Sequence, residues 1–260
     1  MSSVTSILST MITSLKNPVV GGSSISDLRS ERIGKTLLPI LDEINNNRNV
    51  ILASASPRRK ELLALMGLKK VEVLVSGFSE NLAIDGFDSP AEYCLETAVQ
   101  KVKSVASSYD GAASISPLKT VIVGADTIVE INGEVLEKPK DSGDAYRMLS
   151  TLSNSIHLVH TGVTIFSNSD EALVPGAYVP LRPVVSFVQT TKVKFSELTD
   201  EDIAAYIKSG EPFDKAGAYG IQGLGSHFVE HIEGCYFNVM GLPINSISNQ
   251  MRELYHAGKL

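Results

Sequence analysis

The stretch that most limits what this chain can become runs from Val50 to Gly67. Four apolar residues, Val50-Ile51-Leu52-Ala53, give way to Ser54-Ala55-Ser56-Pro57 and then to Arg58-Arg59-Lys60-Glu61-Leu62-Leu63-Ala64-Leu65-Met66-Gly67. A short apolar run bounded by a turn is the mark of a buried strand, and Leu62, Leu63 and Met66 keep helical spacing along one stripe. Ser56 suits the N-cap, Pro57 the first helical position, and Gly67 the left-handed residue that closes the helix. A strand feeding a helix through a tight loop points to an α/β architecture.

The same stretch hints at chemistry. Arg58, Arg59 and Lys60 fall in the first helical turn, where unpaired N–H groups already carry partial positive charge. Each cation there is misplaced by roughly several tenths of a kcal/mol. An anion held in the loop by backbone N–H groups, serine hydroxyls and guanidinium forks removes the mismatch, which makes this a candidate phosphate site. The charges alone leave open a helix whose basic residues simply face solvent.

Further on, Val71 to Val75 alternates as a strand, and Glu80 stands in the loop just past its end. Ser89-Pro90-Ala91-Glu92 is a capping box that launches a helix carrying Ala91, Cys94, Leu95, Ala98, Val102 and Val105 on one face. Lys101 lies at the edge of that stripe, where a lysine ordinarily snorkels to water. Residues 107–119 have loop composition. Residues 120–139 form two strand-like runs around Asn132-Gly133, a type I′ hairpin signal. Asp126 is the odd residue in the first run, because an unpaired carboxylate in an apolar setting costs several kcal/mol and demands a partner or a task. Gly124 and Ala125 beside it leave room for a ligand to approach the backbone.

Asp141 caps a helix through Ser150, and residues 156–166 return as a strand. Residues 168–183, with prolines at 175, 180 and 183, read as an irregular insertion before a strand at 184–195. A helix follows from Leu198 to Gly210. Residues 214–225 place glycines at 217, 220, 223 and 225, giving a loop whose backbone can pass close to a ligand. A strand at 228–232 and a helix after Gly241-Leu242-Pro243 complete the chain.

Residues 36–44 suggest a short helix near Pro39 that caps the fold, and residues 1–47 are expected to form a partly disordered N-terminal extension to a domain at 48–260. This Ser/Thr-rich segment lacks the arginines of a transit peptide before Arg29. Gly34-Lys35-Thr36 imitates a P-loop ending, but Arg29 stands where that motif needs glycine. A net charge of −6 without a basic stripe argues against a nucleic-acid partner, and no apolar run approaches a membrane span, so a cytoplasmic protein is expected. Cys94 and Cys235 suggest buried apolar fillers. His157 and His160 are three apart on a strand and cannot share a metal.

Three segments together resemble the signature blocks of the Maf family of nucleoside triphosphate pyrophosphatases: Ser54-Ala55-Ser56-Pro57-Arg58-Arg59, Gly124-Ala125-Asp126-Thr127 through Glu137-Lys138-Pro139, and Asp214-Lys215-Ala216-Gly217-Ala218-Tyr219-Gly220-Ile221-Gln222-Gly223. The resemblance implies an elongated α/β fold related to the inosine triphosphate pyrophosphatases, with a mixed twisted sheet, flanking helices and a central cleft, commonly as a homodimer. It implies attack of water on the α-phosphorus of a nucleoside triphosphate, releasing the monophosphate and pyrophosphate. By the same resemblance, Asp126 is the general base or metal-linked carboxylate and Glu80 the other acidic residue, both suited to Mg²⁺, with Mn²⁺ or Co²⁺ as substitutes. Lys101 and Lys138 join them in the catalytic set. Ser54, Ser56, Arg58 and Arg59 would bind the substrate.

Arg58, Thr127 and Gln222 match the positions that mark the subgroup acting on dTTP and UTP. A glutamine amide offers one donor and one acceptor to the edge of uracil or thymine. Two other functions stay open at this point: a nucleotide-binding regulator of cell division or septation, and the same enzyme type acting on 7-methyl-GTP or an inosine-type purine nucleotide.

Overall fold

A computed structural model describes residues 38–110, 119–168 and 181–260. The tail, the Gly34-Lys35-Thr36 mimic, residues 111–118 and most of the proline-bearing insertion, 169–180, lie outside the described residues. In chain order the helices and strands are α1 (Pro39–Asn47), β1 (Arg48–Leu52), α2 (Pro57–Met66), β2 (Val71–Val73), α3 (Pro90–Asp110), β3 (Lys119–Ile131), β4 (Glu134–Leu136), α4 (Ser142–Leu152), β5 (Ile156–Ser167), β6 (Arg182–Phe195), α5 (Asp200–Lys208), β7 (Val229–Glu233), α6 (Tyr236–Val239) and α7 (Ile244–His256).

The strands form one seven-stranded mixed sheet in the order β2-β1-β3-β5-β6-β7, with β4 added to β3. β1 runs parallel to both β2 and β3. From β3 onward every pairing is antiparallel. The capping signals are realised locally. Gly67 closes α2 at φ 112, Asp141 accepts the Asp144 N–H, and Thr199 with Asp202 forms a reciprocal capping box on α5. Asn132 and Gly133 both take positive φ, 52 and 82, as a type I′ turn requires.

Strand alternation along β3 sorts its side chains between two layers. Val121, Val123 and Ala125 join the core formed with α1, α2 and α7. On the other face, Ile122 packs with Val102, Val105 and Ala106 of α3. Helix α3 lies unusually close to the sheet at two glycines. A Cβ on Gly124 would sit 2.1 Å from Val102 Cγ2, and one on Gly162 would sit 2.7 Å from both Cys94 O and Leu95 Cα. The space at Gly124 therefore belongs to a helix, not to a ligand, and Ala125 packs into the core on the other face, which corrects the expectation drawn from their small size. Cys94 uses this proximity: its Sγ accepts from Gly162 N at 3.2 Å and faces the carbonyl oxygens of Asp126 and His160.

Other boundaries shift. α3 continues to Asp110, past the loop expected from 107, with the Ser107 and Ser108 hydroxyls returned to the carbonyls of Lys103 and Ser104, so their side chains do not compete for the backbone N–H groups. α1 buries Leu41 and Ile44 in the main core. Cys94 is buried as expected, whereas Cys235 is only half-buried and its backbone N–H and carbonyl are held by the Thr191 hydroxyl. His157 is buried and hydrogen-bonds the Tyr219 hydroxyl at 2.9 Å, while His160 bridges Glu130 and Thr190. No helix of the described residues is long and apolar enough to cross a membrane.

Candidate active site

The site arises from a break in the sheet. β1 accompanies β3 up to the Leu52–Val123 pair, and β4 joins the same edge only from the Val129–Leu136 pair. Residues 124–128 thus have β5 on one side and neither strand on the other. A cleft of about 710 Å³ opens at this gap. Divergence of two neighbours from one strand is the kind of crevice in which α/β proteins bind ligands. Ser54, Ser56, Arg58, Arg59 and Glu80 are among its lining residues. Lys101, Asp126, Thr127, Lys138 and Gln222 complete the ring of residues singled out in the sequence.

Asp126 and Thr127 are consecutive on β3 and so project to opposite faces. Asp126 turns toward α3, where Lys101 Nζ lies 2.6 Å from its Oδ1 and 2.8 Å from Glu80 Oε2. The lysine and aspartate side chains are 11% and 12% exposed, against 49% for Glu80, so the ammonium is turned inward instead of snorkelling. Nearby, Tyr93 donates its hydroxyl to Glu137 Oε1 at 2.5 Å. Burial, together with the Glu137 carboxylate, pushes the Tyr93 hydroxyl pKa up, so it stays a donor. Lys138 is exposed on the cleft rim and forms no ion pair among the described residues.

Two carboxylates converging on one ammonium supply hard oxygens of the kind a divalent cation takes. Among the described residues no group of three His, Cys, Asp or Glu side chains is placed to hold a metal. The residues present therefore fit a cation held by Asp126 and Glu80 with the rest of its shell from substrate and water, as is usual for Mg²⁺.

On the opposite face of β3, Arg59 organises the other half of the cleft. Its Nε donates to Gly241 O at 2.9 Å, Nη1 to Ser54 Oγ at 3.0 Å and Nη2 to Thr127 Oγ1 at 2.9 Å. The guanidinium is buried, and burial draws its pKa below the usual arginine value. Of the three first-turn cations, Lys60 is exposed, Arg59 is committed to protein acceptors and Arg58 reaches across the cleft. Ser56 makes no side-chain capping bond, so the first turn of α2 keeps N–H groups without a side-chain partner.

Arg58 Nη1 pairs with Asp214 Oδ2 at 2.9 Å, and Lys215 Nζ takes the other oxygen of Asp214 at 2.5 Å. Burial alone would raise the Asp214 pKa, but these two cations hold it below the usual carboxylate range. The glycine-rich segment is folded on itself, not extended against open space. Glu211 accepts from the N–H groups of Leu224 and Gly225, and a Cβ on Gly223 would meet that carboxylate within 2.5 Å. Gln222 rides on this segment, exposed at the cleft. Sequence reasoning did not single out Glu137, Glu211 or the Gly241 carbonyl. Glu137 could have been found from its place beside Lys138, whereas nothing local marks the other two.

Residues 49–254 match the family model described as Maf-like protein. This chain is a member of the Maf family. It is 46% identical over 222 residues to a Homo sapiens protein named "Probable bifunctional dTTP/UTP pyrophosphatase/methyltransferase protein", covering 85% of this chain and 34% of that one. The chain thus spans about a third of the human Maf relative's length. It is 45% identical over 198 residues to the dTTP/UTP pyrophosphatase of Clostridium perfringens (strain SM101 / Type A), covering 76% of this chain and 93% of the relative. It is also 43% identical over 210 residues to the dTTP/UTP pyrophosphatase of Ruminiclostridium cellulolyticum, covering 80% and 96%. The matched Maf segment contains every residue of the cleft described above.

Proposed function

We propose that this protein is a nucleoside triphosphate pyrophosphatase that hydrolyses dTTP and UTP to the monophosphate and pyrophosphate. The observation that carries the reading is the Lys101 ammonium fixed between Asp126 and Glu80 in a cleft shared with Arg58, Lys138 and Gln222. The bacterial relatives, matched over nearly their whole length, support the choice of pyrimidine nucleotides.

In this reading water attacks the α-phosphorus, a new P–O bond forms, and the bond to the bridging oxygen of the β-phosphate breaks. Asp126 takes the water proton. Its Oδ1 is held by Lys101, which fixes the carboxylate and leaves the other oxygen for the proton. Pyrophosphate departs with the bonding electrons, and the cations Arg58 and Lys138 offset the charge that accumulates on it. A divalent cation bound by Asp126 and Glu80 would add Lewis-acid polarisation of the phosphoryl oxygens. Mg²⁺ suits those ligands, with Mn²⁺ or Co²⁺ as substitutes. The closed set of Arg59 contacts favours a part in shaping the substrate pocket over direct phosphate contact.

The proposal also takes 48–260 as the catalytic domain, with residues 1–47 as an extension, and follows the family resemblance in expecting a cytoplasmic homodimer. Light scattering of the purified chain tests the dimer. The activity is tested by incubating the protein with dTTP, UTP, GTP and 7-methyl-GTP in Mg²⁺ and measuring pyrophosphate. Release from dTTP and UTP, abolished by chelator and restored by Mg²⁺, is expected. No release from either pyrimidine nucleotide ends this reading. A regulator without turnover gains nothing from a fixed carboxylate opposite a cation cluster, and Asp126→Asn separates the two, since a binding role survives it.

A further inference from the structure

Arg58 has a carboxylate partner within the protein itself. Among the described residues its guanidinium makes one polar contact, from Nη1 to Asp214 Oδ2 at 2.9 Å. A guanidinium carries N–H donors on all three nitrogens, so most of the fork is uncommitted and faces the cleft that Arg58 lines. The two partners belong to different parts of the fold. Helix α2, which carries Arg58, buries Leu62 and Leu63 in the core shared with α1 and α7. Asp214 opens the glycine-rich segment, whose Ala218 and Tyr219 pack into a second core with α4 and α5. Among the described residues this is the only ion pair joining α2 to that segment.

Two features make the contact exchangeable. The side chains are 28% and 62% exposed, and an ion pair this open to water contributes little to stability. A phosphate group brings more charge and can engage two arms of the fork at once, so it outcompetes a single carboxylate oxygen. Asp214, for its part, does not depend on Arg58. Its other oxygen lies 2.5 Å from Lys215 Nζ, and that ammonium is tethered in turn to Glu211 O at 2.7 Å. Burial would raise the Asp214 pKa, yet Lys215 and Arg58 hold it below the usual carboxylate range, which keeps it charged at neutral pH. The carboxylate therefore stays in place, ionised and within reach, when the arginine leaves it.

We infer that Asp214 is a displaceable counter-ion for Arg58: it yields the guanidinium to the polyphosphate of the substrate and takes it back as pyrophosphate leaves. This rests on the proposed reaction and deepens it, since a cleft lined by Arg58, Lys101, Lys138 and Lys215 would otherwise hold a highly charged product too well. Release of product limits turnover in many enzymes. Asp214 is a positioning residue, acting through Arg58 and touching no reacting atom.

The test is calorimetric binding of inorganic pyrophosphate, in Mg²⁺, to the full-length protein. Asp214→Asn keeps an oxygen for Lys215 and gives up the charge that competes for Arg58, so Kd should fall by about threefold or more. Arg58→Gln should raise Kd by about tenfold. In the Arg58→Gln background the gain from Asp214→Asn should largely vanish, because the two residues act as one unit. Pyrophosphate should likewise inhibit UTP hydrolysis by Asp214→Asn more strongly than by wild type. An unchanged or raised Kd in Asp214→Asn overturns the inference, the rise being what a mere support for the glycine-rich segment would give. So does an equal fall in both backgrounds, which is a general charge effect, or an Arg58→Gln protein that binds as wild type does. Asp214→Ala replaces Asp214→Asn if the latter does not fold, and if neither folds the carboxylate is structural and the inference fails. Failure of every variant to bind pyrophosphate overturns it as well. Wild type that shows the expected binding pattern but releases no pyrophosphate from dTTP or UTP leaves the counter-ion standing and counts against the pyrophosphatase reading.

Discussion

Gly124 and Val102 provide a quantitative test of how the site is held together. Adding a methyl at Gly124 places a carbon 2.1 Å from Val102 Cγ2, whereas ordinary contact begins near 3.4 Å. Valine in a helix has one strongly preferred rotamer, so the clash is relieved chiefly by moving α3 away from β3. Overpacking of this kind costs about 1–3 kcal/mol. Val102→Ala alone removes buried carbon and leaves a hole, at about 2–3 kcal/mol for transfer and cavity together. In the double variant the hole accepts the new methyl, because the next neighbours, Ala98 O and Val102 Cβ, lie at 3.5 Å. The two changes should therefore offset each other by about 2 kcal/mol, well beyond the few tenths expected of independent sites. Urea denaturation of the four proteins measures this directly. Lys101 adjoins Val102 on α3, so Gly124→Ala should also lower kcat, and a misplacement of about 1 Å can cost as much as a hundredfold. Strict additivity would refute the packing account. So would a Gly124→Ala protein of normal stability with only a raised KM, which would mean that a ligand, not the helix, occupies the space.

Asp126→Asn should fold, since Lys101 keeps Glu80 as a partner, yet lose about 10²–10⁴-fold in kcat for pyrophosphate release. Arg59→Lys cannot reach Gly241 O, Ser54 and Thr127 together, so it should lower the melting temperature and raise KM for UTP in the same protein. Burial lowers the His157 pKa from 6.5 to about 4. Below pH 6.5 the unfolded chain binds a proton that the folded one refuses, so stability should fall by about 1.4 kcal/mol per pH unit down to about pH 4 and be unaffected by this group above pH 6.5. Denaturation at pH 7.5 and 4.5 should show a smaller acid loss for His157→Gln, and an identical loss would contradict the assignment.

Much of this architecture was legible because local rules and tertiary packing agree. The strand, turn and helix at 50–67, the type I′ turn at Asn132-Gly133 and the cap at Asp141 each follow from the backbone needs of a few adjacent residues. Asp126 stood out since a carboxylate in an apolar run has few structural excuses, and its partner Lys101 proves to be on the next layer. What stayed hidden depends on distance along the chain. Nothing in Gly124 itself says whether a ligand or Val102 fills the missing volume. The commitment of Arg59 to Gly241 O, 182 positions away, cannot be read from the helix that carries it. Glu211 gains its clamp on the glycine-rich segment only once α5 has returned the chain to the cleft.

The gap between β1 and β4 leaves two successive residues of one strand open to the cleft. Asp126 and Thr127 are separated by a single strand step of about 3.4 Å and fixed on opposite sides of a rigid ribbon. No hinge lies between them, so their spacing cannot be retuned by loop movement. A slip of one position would exchange carboxylate and hydroxyl between the two layers. A change in what the cleft accepts must therefore proceed through side-chain replacement on this ribbon or its neighbours, and insertions can be absorbed only where the chain has left the sheet.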